Sequence, residues 1–141
     1  MEPRGMNIFL ASPEEMEALG SRLVLEPSTP WKTLALHGEL GAGKTTLVRG
    51  LVRAMGGDPD EVHSPSYVLE HHYEVSGGVL VHRDAWRGDA GESHGVMPEC
   101  CRMVVEWPDK ANREMWPHPV VALTLKHTAN GRVASVPDGI L

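Results

Sequence analysis

One stretch limits what this chain can fold into: His37-Gly38-Glu39-Leu40-Gly41-Ala42-Gly43-Lys44-Thr45-Thr46. It reads Gly-x-x-x-x-Gly-Lys-Thr. A short apolar run at 33–37 precedes it, and Leu47, Val48, Leu51, Val52 and Met55 follow at helical spacing. The run predicts a buried strand and the spacing predicts an amphipathic helix, so the loop joins strand to helix as a phosphate-binding P-loop must. Gly38, Gly41 and Gly43 carry no Cβ, which lets the backbone pass through positive φ and close on an anion. The amides of 38–46, those of Glu39, Leu40, Ala42 and Thr46 among them, then face inward at the positive end of the helix dipole. Lys44 brings an ammonium to the β- and γ-phosphates, and the Thr45 hydroxyl is suited to ligate Mg²⁺. A chance glycine-rich turn is the competing reading. At ordinary glycine and lysine frequencies such a match arises on the order of once in a few hundred chains of this length.

The chain of 141 residues has room for one domain and one core. A net charge of −6 argues against broad binding to DNA or to an anionic membrane, since both need a basic face. No apolar leader follows residues 1–5 and no run approaches the length of a membrane span, so a soluble cytoplasmic protein is expected. Cys100 and Cys101 are adjacent and read as ordinary buried thiols.

Residues 7–11 predict a strand. Ser12-Pro13-Glu14-Glu15 predicts a helix start with Ser12 as cap, and Met16, Leu19, Leu23 and Val24 form an apolar stripe that ends near Glu26. A proline-bounded loop follows at 27–30, and Gly56-Gly57-Asp58-Pro59 reads as a helix stop. Residues 68–75 and 79–84 flank Ser76-Gly77-Gly78, which predicts a β-hairpin and hence a mixed sheet. His71 and His72 should point to opposite faces of the first of these strands, making them a poor metal pair. A glycine-rich loop at 88–95, a buried strand at 103–105 and a short helix at 109–115 are expected next. Residues 120–126 and 132–136 flank Asn130-Gly131, a type I′ hairpin signal. Residues 1–5 and 137–141 read as disordered tails.

Hydrolysis or transfer needs an acid for the metal and a group to position the nucleophile. In sheets of this kind ligands lie off the carboxyl ends of the strands. Asp84 ends one predicted strand and Glu106 another, so either suits the metal, and the more apolar run favours Glu106. Ser64-Pro65-Ser66-Tyr67 reads either as a switch segment or as a turn entering a strand. No Asn-Lys-x-Asp stretch specifies guanine, which tilts the base towards adenine.

Four blocks in this order resemble the TsaE family: the glycine loop at 38–46, Ser64-Pro65-Ser66-Tyr67, His82-x-Asp84-x-Trp86-Arg87 and Val105-Glu106-Trp107-Pro108. The resemblance implies a single-domain P-loop α/β fold with a mixed, mainly parallel sheet flanked by helices. It implies Mg²⁺-dependent binding and slow hydrolysis of ATP, with Gly38, Glu39, Leu40, Gly41, Ala42, Gly43, Lys44, Thr45, Thr46, Ser66 and Trp107 at the nucleotide. By the same resemblance Thr45 and Asp84 serve the metal, and Glu106 is the functionally important acid near it. The implied partners are TsaB and TsaD, which transfer threonylcarbamoyl to A37 of tRNA, so that tRNA is met only indirectly. Ser66 stands where the family usually has Thr, Trp86 stands where it has Tyr, and 88–102 is short and lacks the expected leucines. A P-loop small-molecule kinase is the alternative reading.

Overall fold

The computed structural model describes residues 5–25, 31–39, 42–63, 70–84, 102–106, 119–137 and 140–141. The elements are β1 (Gly5–Leu10), α1 (Pro13–Leu25), β2 (Thr33–Gly38), α2 (Lys44–Ala54), β3 (Glu70–Val75), β4 (Gly78–Asp84), β5 (Arg102–Glu106), β6 (Val120–Thr128) and β7 (Gly131–Pro137). One sheet runs β1-β7-β6-β2-β5-β4-β3. Its centre, β6-β2-β5-β4, is parallel, and an antiparallel strand or hairpin closes each end. The sheet is mixed as expected, with a parallel four-stranded centre.

Helix α1 begins and α2 ends on their sequence signals. The amide of Glu15 donates to Ser12 Oγ at 3.2 Å, and the Glu15 carboxylate accepts from the amide of Ala11, one residue before the position a capping box would use. At the end of α2 the amide of Gly57 donates to Val52 O at 2.9 Å and that of Gly56 to Arg53 O at 3.1 Å, with Gly56 at φ 86°. This paired closure is a Schellman motif. The helices pack on the face of the sheet that carries Leu34, Leu36, Leu80, Val104, Leu123 and Leu125. They touch backbone to backbone: a Cβ on Gly50 would lie 2.0 Å from Glu17 O, and one on Gly20 would lie 2.3 Å from Leu47 O. Ala35, Val81, Met103 and Val105, on the alternate strand positions, make a smaller buried cluster on the other face. Trp31 is buried between the layers, donating to Leu23 O at 2.9 Å, and the Arg102 guanidinium stands 4.7 Å from its ring centre.

Two expectations change. The β6–β7 turn is Ala129-Asn130, not Asn130-Gly131, because Thr128 already pairs with Gly131. Gly131 answers a different demand, since a Cβ there would lie 2.4 Å from Leu10 O on the neighbouring strand. The ends are not loose tails where they are described: Gly5 pairs with Pro137, and Ile140 is 5% exposed within the core. Addition of β1 to β7 ties both ends into the ladder, and Ile140 then gains by burying its side chain. The forecasts for the loop at 27–30, the loop at 88–95, the helix at 109–115 and the two cysteines fall outside the described residues. Among the described residues, no helix is long and apolar enough to cross a membrane.

Glu70 locks the β3–β4 hairpin, accepting from Arg83 Nε at 2.8 Å and pairing with His72 Nε2 at 2.5 Å. Burial alone would raise its carboxyl, but the hydrogen bonds from His72 and Arg83 outweigh that and hold it below the ordinary carboxylate range. A lowered pKa adds stability above the unfolded-state value and loses it as pH falls. Glu70→Gln should therefore cost about 1 kcal/mol near neutral pH, and the gap to wild type should close as the pH falls below the ordinary carboxylate range in urea titrations. Gly50→Ala should cost roughly 3 kcal/mol in the same assay, because the methyl has no room between the helices; an unchanged midpoint would mean that α1 and α2 sit farther apart.

Candidate functional site

The site forms where β2 turns into α2. Gly43 caps the helix at φ 105°, ψ 12°, a left-handed conformation, and offers no side-chain acceptor to the first-turn amides. An added Cβ would also lie 2.6 Å from Met16 Cε. The amide of Ala42 donates to Glu39 O at 3.0 Å, folding the loop back on itself, and the Ala42 side chain is buried. Lys44 opens the helix and is only 6% exposed. Its Nζ donates to Gly38 O at 2.5 Å and lies 3.8 Å from Glu106 Oε1.

Strand register supplies the acids. Leu36 of β2, Glu106 of β5 and Asp84 of β4 occupy one row at the carboxyl ends of three adjacent parallel strands. Two residues back, Leu34, Val104 and His82 form the next row. Glu106 is 3% exposed and His82 is fully buried, and His82 Nε2 meets Glu106 Oε2 at 2.5 Å. His82 Nδ1 lies 3.0 Å from the Tyr73 hydroxyl, which in turn reaches His63 O at 3.3 Å. Burial raises the pKa of that phenol above its ordinary value, so it stays protonated as a donor.

Of the residues singled out in the sequence, the fold gathers Gly38, Gly43, Lys44 and Glu106, with Thr45 and Thr46 in the first turn of α2 and Asp84 in the Glu106 row. Glu39 is exposed at the loop entrance. Leu40, Gly41, Ser66 and Trp107 lie outside the described residues, as do Trp86 and Arg87. His71 and His72 separate as expected: His71 joins Tyr73 and His82 in a ring cluster, while the exposed His72 pairs with Glu70.

Sequence reasoning gave no role to His82 or Tyr73. The available signal was the two-residue period that sets His82 on the face of its strand-end neighbour. It also passed over a cavity of about 170 Å³ beside the loop, lined by Ser12, Pro13, Met16, Gly43, Thr46 and Arg132 among others. Among the described residues no group of three or more His, Cys, Asp or Glu forms a metal cage. Among the described side chains, the oxygen donors near the loop include the Thr45 hydroxyl and the Glu106 carboxylate, of the kind that Mg²⁺ takes when phosphates and water complete its shell.

Fold and site together define a one-sheet α/β domain built around a glycine-rich strand–loop–helix junction, with a buried lysine facing a buried acid. The sequence model of the family described as "Threonylcarbamoyl adenosine biosynthesis protein TsaE" matches residues 10–134. The chain belongs to the TsaE family. It is 31% identical over 120 residues to the tRNA threonylcarbamoyladenosine biosynthesis protein TsaE of Synechocystis, covering 78% of this chain and 74% of that one. The Aquifex aeolicus protein of the same name is 42% identical over 80 residues, covering 56% of this chain and 59% of that one. The Haemophilus influenzae one is 44% identical over 52 residues, covering 37% of this chain and 32% of that one. The chain thus spans less than two thirds of the last two relatives. The crystal structure of YdiB from Bacillus subtilis shares the fold, with a TM-score of 0.68 and 20% identity over 99% of this chain and 88% of that one.

Gly43→Ala tests the loop without touching a charged group. Forcing a left-handed residue to carry a Cβ should cost about 1–3 kcal/mol in chemical denaturation. A smaller loss would show that the loop adopts another backbone.

Proposed function

We propose that the chain binds ATP with Mg²⁺ at residues 38–46 and hydrolyses it, slowly or only with partners, to serve threonylcarbamoylation of tRNA A37 by a TsaB–TsaD complex in the cytoplasm. The observation that carries this reading is Lys44, a nearly buried cation at the start of a glycine-capped helix. Burying a cation is costly unless it meets negative charge. Its present partners, the Gly38 carbonyl and Glu106, are ones that phosphate oxygens can supplement or replace.

Bound Mg²⁺-ATP supplies the transferable phosphoryl group and the metal charge that neutralises it. Lys44 and the loop amides hold the phosphates, and Thr45 and Asp84 supply oxygen ligands to the metal. Glu106 is better suited to orient water than to ligate metal: His82 already holds Oε2, while Oε1, at 3.8 Å from Lys44, keeps its capacity to accept. Asp84, level with Glu106 on the next strand, is then left for the metal. The cavity of about 170 Å³ beside Gly43 and Thr46 is open space next to the loop that part of the nucleotide can enter. With a net charge of −6, the chain acts on the protein complex and does not itself read tRNA.

Calorimetry with Mg²⁺ should show ATP and ADP binding and little GTP binding; GTP bound as tightly would end the adenine assignment. Asp84→Asn should weaken Mg²⁺-dependent binding and abolish hydrolysis, whereas Glu106→Gln should spare binding and cut turnover. The reverse pattern would make Glu106 the metal acid. With TsaB–TsaD limiting, Lys44→Ala should allow one round of tRNA modification and block repeated rounds. Wild-type behaviour from Lys44→Ala, or phosphorylation of a small metabolite by the isolated chain, would overturn the reading in favour of a kinase.

A further inference from the structure

Of two buried side chains beside the site, Tyr73 has no part in the account above and His82 enters it only as the partner of Glu106 Oε2. His82 is fully buried and Tyr73 is 3% exposed. Their neighbours on the same face of the sheet, Leu80, Val104 and Leu36, are apolar. Apolar side chains of similar volume would pack there at lower cost than an imidazole and a phenol. The polar pair therefore calls for a reason beyond packing, and its geometry supplies one.

Glu106 has two oxygens with different duties. Oε2 accepts from His82 Nε2 at 2.5 Å, which fixes the carboxylate plane and leaves Oε1 towards Lys44 at 3.8 Å. An imidazole is itself oriented by what its other nitrogen meets. Here Nδ1 lies 3.0 Å from the Tyr73 hydroxyl. The hydroxyl's single proton can go either to Nδ1 or to His63 O, which lies 3.3 Å away, and His63 precedes the Ser64-Pro65-Ser66-Tyr67 block in sequence. The rings wedge one another: Tyr73 and His82 lie 5.9 Å apart at 48°, and His71 stacks on Tyr73 at 6.1 Å.

We infer that His82 and Tyr73 are positioning residues that hold the Glu106 carboxylate beside Lys44, through one hydrogen-bonded line from the edge hairpin to the glycine loop. The inference rests on the reading of Glu106 as the acid that controls turnover. It predicts that losing the line lowers the rate of ATP hydrolysis while leaving nucleotide affinity in place, because Lys44 and the loop amides are untouched.

The test compares His82→Leu, His82→Gln and Tyr73→Phe with wild type in the full chain. It reads ATP affinity by calorimetry, and kcat for ATP hydrolysis with saturating TsaB–TsaD. His82→Leu should lower kcat by about 10- to 100-fold, as loss of an outer-shell partner does, with Kd within about twofold. His82→Gln keeps an amide donor where Nε2 stood and should recover part of the rate. A merely structural role gives the opposite order, since Leu suits an apolar core better than Gln. Tyr73→Phe deletes one oxygen and should lower kcat about threefold to tenfold; it decides the matter should the His82 variants fail to fold. Unchanged kcat in the variants that fold, or Kd weakened as much as kcat falls, would overturn the inference alone. A wild-type chain that neither binds nor hydrolyses ATP would overturn the functional reading and this inference with it.

Discussion

The contact between Lys44 and Glu106 sets conditions that much of the remaining structure meets. Both groups are almost out of water, and two charges so placed are tolerable only with further hydrogen bonds around them. Gly38 O supplies one to the lysine and His82 one to the acid. For these four residues to meet, three parallel strands must run in register and α2 must begin close to Glu106. The parallel order β2-β5-β4, with Leu36, Glu106 and Asp84 in register, meets that demand.

Helix placement follows from a second constraint, the absence of side chains at Gly20 and Gly50. Each glycine accepts the backbone of the opposite helix at a distance that no Cβ would allow. The close approach brings Met16 of α1 against Gly43, so the first helix supports the cap of the second. It also frames the cavity shared by Ser12, Met16, Gly43 and Thr46. A helix with no chemistry of its own thus shapes one wall of the site.

The comparisons carry different weights. A TM-score of 0.68 at 20% identity to YdiB speaks to the fold, and the match of residues 10–134 to the TsaE family speaks to ancestry. Neither bears on which acid does what. That division is argued from the pairing of Glu106 with His82 and Lys44, and it is why the two carboxylates receive separate roles in the proposed function.

Local signals were sufficient wherever the physics is local. The glycine loop between an apolar run and a helical stripe gave β2 and α2, Ser12-Pro13 gave the start of α1, and Gly56-Gly57 gave the end of α2. The hairpin about Ser76-Gly77 was equally legible, since turn residues and a two-residue period are short-range properties. What the sequence left open depended on partners distant along the chain. The preference for Asn-Gly pointed one residue past the true β6–β7 turn, because pairing with β1 claimed Gly131 for space. Residue 140 read as a tail because nothing nearby shows that the core has room for Ile140. Asp84 and Glu106 were both visible as strand ends, but only the register across β4, β5 and β2 sets Glu106 against Lys44 and His82. Sequence by itself determined the glycine-rich strand–loop–helix junction, because that junction is made from consecutive residues. The tertiary structure alone decided which buried groups surround it, because alternation along a strand tells a side chain its face and not its neighbour.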